Sequence, residues 1–180
     1  MGAINNLETS LAKIYKDAPK LPKNGQKGIV KYLPWITLAL GILTLYSAWV
    51  LWHWAHIANS LVNYANSLSQ LYGGTTVNLQ HMSTGIWIAI IILLIEAIMM
   101  LAAFPGLRDQ KKSGWNLLFY ITIINVVYGI FIMFTNYGSA FNLIESLIGT
   151  AIGLYFLFQI RDYYKVGATK VVSSKNTEAK

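Results

Sequence analysis

The stretch GIWIAIIILLIEAIMMLAAF, residues 85–104, decides the fold class. A helix needs about 20 apolar residues to cross the hydrocarbon core of a bilayer. This run has that length and carries a single ionisable group, Glu96. A carboxyl group at such depth is costly when it faces lipid, so it should face protein. Glu96 therefore implies further helices around it.

Composition agrees. The 180 residues are 55% hydrophobic and 12% charged, with a mean hydropathy of +0.47. Soluble domains carry about 25% charged residues, and at half that level too little polar surface remains to coat a water-soluble globule. The class is integral membrane protein. Cysteine is absent, which excludes disulfides, thiolate metal sites and cysteine nucleophiles. A net charge of +7 would suit nucleic acid, but its distribution does not. All 14 Lys and Arg lie in three segments, Lys13 to Lys31, Arg108 to Lys112 and Arg161 to Lys180. Each flanks the apolar runs on one side, which is the positive-inside pattern. The expected partner is the lipid bilayer, not nucleic acid.

Outward from residues 85–104, the next apolar run upstream covers about 33–55. Tyr32 and Trp35 mark one edge, and Trp49, Trp52 and Trp54 crowd the other as an interfacial belt. Pro34 is expected in its first turn, where a missing N–H matters little. Residues 56–83 hold no Lys or Arg. Ile57, Leu61, Tyr64, Leu68 and Leu71 recur on one helical face, which predicts an amphipathic helix resting on the outer leaflet or capping the bundle, ended by Gly73-Gly74. Downstream, Pro105-Gly106 closes the central run before a basic turn. A third span follows at about 115–134, ending at Asn136-Tyr137-Gly138, and a fourth at about 143–160.

The predicted fold is all-α, an integral membrane four-helix transmembrane bundle of two helical hairpins. Both termini are cytoplasmic, and the amphipathic helix occupies the first outer loop. An odd number of spans would put one basic tail outside. Residues 1–32 form a basic cytoplasmic tail in which Leu7, Leu11 and Ile14, beside Lys13 and Lys16, admit either a membrane-surface helix or an unstructured segment. Residues 33–160 form the membrane domain. Residues 161–180 form a second basic tail, expected to be disordered. The phrases Leu107-Arg108-Asp109 and Ile160-Arg161-Asp162 end the two halves alike, but the outer loops differ too much in length to establish a duplication. In each phrase the Arg is expected to snorkel to phosphate with the neighbouring Asp as its partner.

Helices in lipid associate through small residues and a few hydrogen bonds. The stripes that qualify contain Gly41 and Thr44 in the first span, Ala89 and Glu96 in the second, Asn125 and Gly129 in the third, and Gly149 and Gly153 in the fourth. Gly149-Thr-Ala-Ile-Gly153 is a GxxxG match. Glu96 and Asn125 fall at similar depth, so a protonated Glu96 could bond to Asn125 as interhelical glue. The sharper alternative is a proton- or cation-handling site, with Thr44 and Thr150 nearby. At the outer face, His53, His56, His81 and Glu145 have a spacing that permits a metal site, although histidines also sit comfortably among interfacial tryptophans.

No nucleophile elbow, phosphate-binding loop, metalloprotease motif or dinucleotide glycine pattern occurs. The chain is expected to be no enzyme and to hold no cofactor. The leading expectation is a membrane subunit or scaffold acting through helix–helix association, as a homo-oligomer or with a membrane-protein partner. The alternatives are a small oligomeric transporter or channel using Glu96, and an outer-face metal-binding protein. A bacterial cytoplasmic membrane is the expected location, and the lack of any N-glycosylation sequon agrees with it.

Overall fold

The computed structural model describes residues 2–72, 80–133 and 140–164. The Gly73-Gly74 and Asn136-Tyr137-Gly138 turns and the tail beyond residue 164 lie outside the described residues. Among the described residues five helices follow in order: α1 (Gly2–Lys16), α2 (Lys23–Leu71), α3 (Gln80–Arg108), α4 (Lys112–Met133) and α5 (Ala140–Gln159). Among the described residues there is no strand. Helix α2, the Gly85–Arg108 part of α3, and α4 are long and apolar enough to cross a membrane. Helix α5 contributes a shorter apolar stretch, Ile144–Gln159.

Two boundaries differ from expectation. Helix α2 is one uninterrupted helix of 49 residues, about 74 Å at 1.5 Å per residue and so more than twice the thickness of a hydrocarbon core. The fall in hydropathy at Ala55 is a change of surroundings, not of backbone. No Gly or Pro lies between Ile42 and Tyr72 to break the helix. Pro34 is consequently interior and not in the first turn, and the carbonyl of Val30, four residues before it, loses its usual donor. Likewise α3 does not stop before Pro105 but runs through it to Arg108. It closes with the paired bonds of a Schellman motif, Lys111 N–H to Gly106 C=O at 2.7 Å and Gln110 N–H to Leu107 C=O at 3.1 Å. Gln110 takes the left-handed position with φ 52°.

The chain divides into two compact units, one built from residues up to Thr37 and from Ala102 onward, the other from Leu38–Leu101. The core of the first comprises Val30, Ala103, Leu107, Trp115, Phe119, Leu154, Leu157, Ile160 and Tyr164, with Leu11 and Tyr15 of α1 packed on it. Its tightest point is the α3–α4 turn. A Cβ added to Gly106 would lie 2.7 Å from the Gly114 nitrogen, so only paired glycines allow that approach. In the second unit Gly41 sits against Met100 and Leu101, where an added Cβ would meet the Met100 Cβ at 3.1 Å. Ala48, Ala55 and Ala97 are buried there as well. Small side chains of this kind let helices approach closely in lipid.

Candidate functional site

The densest polar constellation lies in the first unit and is centred on Glu8 of α1. Its Oε1 accepts from Lys112 Nζ at 2.7 Å, from Arg161 Nε at 2.9 Å and from Arg161 Nη2. Burial alone would push the Glu8 carboxyl up, but the hydrogen bonds and charges of Lys112 and Arg161 outweigh it and hold the group below its ordinary 4.5. Both cations also face Trp115. The Lys112 Nζ lies 3.5 Å from the ring centroid and the Arg161 guanidinium carbon 5.8 Å. Trp115 is fully buried, stacks on Phe119 and donates its indole N–H to the Leu157 carbonyl at 2.9 Å. One carboxylate thus joins the first helix, the start of α4 and the segment just after α5.

The segment between α1 and α2 is fastened to α5 beside this cluster. Tyr155 donates its hydroxyl to the Pro19 carbonyl at 2.6 Å, and the Gln159 amide donates to the same carbonyl at 3.1 Å. The Gln159 Oε1 in turn accepts from the Leu21 N–H at 3.2 Å. Tyr15 stacks on Phe158 and donates to the Ala151 carbonyl at 3.0 Å, and burial pushes its phenol up. The face of α1 that meets the protein carries Glu8, Leu11 and Tyr15, whereas Ile14 is 68% exposed. Tyr164 is enclosed, its hydroxyl has no hydrogen-bond partner among the described residues, and burial pushes its phenol up to about 12.

Sequence reasoning missed Glu8, Trp115 and the Gly106–Gly114 contact. The expected partner of each Arg is its neighbouring Asp; Asp109 does feel Arg108, but its ion pair is with Lys111 at 2.8 Å, and Arg161 also meets Glu8. The lowered Asp109 carboxyl owes its position chiefly to that Lys111 bond. Adjacent residues on a helix point in different directions, so an Arg-Asp dipeptide is poorly placed for pairing. The available signal was that Glu8 is the one acid within the first 16 residues, at i, i+3 and i+7 spacing with Leu11 and Tyr15.

The second unit holds Glu96, which is 6% exposed, with Oε1 enclosed and, among the described residues, without a hydrogen-bond partner. Thr44 lies in the same unit, its hydroxyl 4.0 Å from the Met100 sulfur. Asn125, in α4, donates its amide to the Ile121 carbonyl of its own helix at 3.2 Å. Thr150, Ala89 and Gly129 are half-buried. Gly149 and Gly153 differ from Gly41, because a Cβ added to either would meet nothing within 4 Å. His53 stacks on Trp49 at 5.7 Å between ring centroids, and His56 packs on Trp52 at 4.9 Å. Among the described residues no three His, Asp or Glu gather as a metal site. The His81 side chain lies outside the described residues, and Glu145 is exposed on α5.

No protein-family model matches the chain, and neither a curated protein nor a solved structure is similar to it.

Proposed function

We propose that the chain is a multi-pass integral membrane protein of four spans, with both termini and the 108–112 turn on the cytoplasmic face of a bacterial membrane, working as a non-enzymatic subunit or scaffold through helix association. The spans are the apolar parts of α2, α3, α4 and α5. The whole of α5, 20 residues, rises about 30 Å, and its apolar part, Ile144–Gln159, about 24 Å, somewhat under one hydrocarbon thickness. Two independent features support the orientation. Every cation lies in the three segments assigned to that face, and the Glu8–Lys112–Arg161 cluster draws members of all three into one contact. Docked in this way, α1 leaves Ile4, Leu7 and Ile14 exposed, as suits a helix lying at the lipid interface.

The observation that carries the association reading is the open face of α5. Gly41, Gly106 and Gly114 each meet packed atoms, whereas Gly149 and Gly153 meet none among the described residues. A GxxxG pair left free is suited to receive a second membrane helix. The test is disulfide crosslinking of G149C and G153C in native membranes together with blue native electrophoresis. Crosslinked species of defined size are expected; a strictly monomeric protein without a co-purifying partner would refute the reading.

A second reading is favoured by the enclosed, unpartnered Glu96 oxygen: a small oligomeric transporter or channel in which that carboxyl carries a proton or cation. Proteoliposomes would show cation or proton flux that E96Q abolishes. Flux unaffected by E96Q would remove it.

A further inference from the structure

A cleft of about 440 Å³ in the first unit is lined by Lys27, Val30, Lys31, Pro34 and Trp35 of α2 and by Arg108, Gln110 and Tyr163. By chemistry, not by helix, its lining falls into two halves. Lys27, Lys31 and Arg108 are exposed at the rim, and among the described residues none of them forms a salt bridge. The other half is apolar, with Val30 and Pro34 buried and Trp35 open on one face. Trp35 is fixed edge-on against Phe104 at 5.4 Å between centroids. The Schellman turn that ends α3 holds Arg108 and Gln110 opposite the lysines. Lys27 and Lys31 are one helical turn apart and project from the same side of α2.

The position along the chain is as informative as the composition. Lys31 is the last charged residue before the first apolar run, and Arg108 is the first after the second. The cleft therefore straddles the boundary between headgroups and hydrocarbon, with cations toward water and Trp35 toward the acyl chains.

We propose that this cleft binds the headgroup of an anionic phospholipid, with Lys27, Lys31 and Arg108 around the phosphate and Trp35 and Pro34 against the glycerol and upper acyl carbons. Basic pockets at the cytoplasmic ends of membrane helices recognise anionic lipids in this manner. A free phosphate would use the cations but leave the apolar half idle, and that half selects the lipid. The inference rests on the membrane-spanning reading of α2 and α3.

The test uses the purified full chain in a mild detergent, titrated with dioleoyl phosphatidylglycerol, with dioleoyl phosphatidylcholine and with inorganic phosphate, and read by native mass spectrometry. Phosphatidylglycerol is expected to bind at least tenfold more tightly than phosphatidylcholine, and inorganic phosphate not to displace it at equal concentration. Each rim cation near an anionic headgroup is worth about fivefold in affinity, so K27Q/R108Q weakens phosphatidylglycerol binding by about 25-fold and K31Q alone by about fivefold, with phosphatidylcholine unchanged. The pair K13Q/K16Q removes the same charge from α1, outside the cleft lining, and is expected to change binding less than about threefold. Circular dichroism verifies that the variants keep their helix content; all of the substituted side chains are exposed. Equal binding of the two lipids, equal effects of the two double variants, or displacement by inorganic phosphate would each overturn the proposal. Binding in detergent does not depend on which side of a membrane the cleft faces. A wrong orientation would therefore appear in topology labelling while lipid selectivity persisted.

Discussion

Replacing Glu8 with Gln isolates the charge that fastens α1, because the shape and one acceptor oxygen are kept. Hydrogen bonds to a charged partner are worth about 1.5–3 kcal/mol against about 0.5–1.5 for neutral ones. Breaking a fully buried ion pair costs about 3–5 kcal/mol, whereas exposed pairs contribute at most about 1. Here the Glu8 side chain is 13% exposed, with Lys112 at 31% and Arg161 at 21%, which places the site between those limits. The substitution also leaves two cations facing each other over Trp115. We expect E8Q to weaken docking of α1 by about 2 kcal/mol, a factor of about 30 in the opening equilibrium. Amide hydrogen exchange of residues 8–16 in detergent reads this directly, as a 30-fold loss of protection confined to α1. D17N, at an exposed position just past α1, should cost less than about 0.5 kcal/mol. Protection in E8Q within threefold of the parent would refute the reasoning, as would a larger effect from D17N.

The same pair gives a pH dependence. A carboxyl held below its ordinary 4.5 contributes docking stability that is full above that value and is lost as pH falls through the lowered one; spin labels at Ser10 and Ser113 should show a single short distance at pH 6 and a broadened one in acid. G106A drives a methyl group to 2.7 Å from the Gly114 nitrogen and should destabilise by about 3 kcal/mol, whereas G149A meets nothing and should leave thermal stability within about 0.5 kcal/mol. Y164F deletes an enclosed hydroxyl that has no partner and should be neutral or stabilising by up to about 1 kcal/mol in denaturant titration. A clear loss would mean that the hydroxyl is satisfied. Because burial raises the Tyr164 phenol to about 12 from an ordinary 10.0, the stability of the parent should be unaffected below pH 10 and fall as pH rises from 10 to 12, a loss that Y164F should not show.

The apolar segments were legible because hydropathy over about 20 residues is a bulk property that needs no knowledge of neighbours. Helix ends were less so. They depend on backbone breakers, and the polar residues beyond Ala55 contain none, so α2 continues to Leu71 where a separate surface helix was expected. The end of α3 turned on Gln110 accepting a left-handed conformation, which spacing does not reveal. Burial of Glu96 followed from its depth alone, whereas Glu8 meets partners 104 and 153 residues away and no local pattern encodes such a pairing. Glycines show the same divide. The GxxxG pattern in α5 is visible in sequence, yet the described glycines that press on each other are Gly106 and Gly114, across a turn.

Orientation underlies the depth of every site described above, and the chain contains no cysteine to interfere with introduced ones. Single cysteines at Ser10, Gln110, Ser174 and Ser60, each treated with a membrane-impermeant maleimide on whole cells and again after permeabilisation, measure it directly. The account predicts that Ser60→Cys reacts on intact cells and that the other three react only once the membrane is opened. Reaction of Gln110→Cys on intact cells, or opposite behaviour at Ser10→Cys and Ser174→Cys, would contradict it.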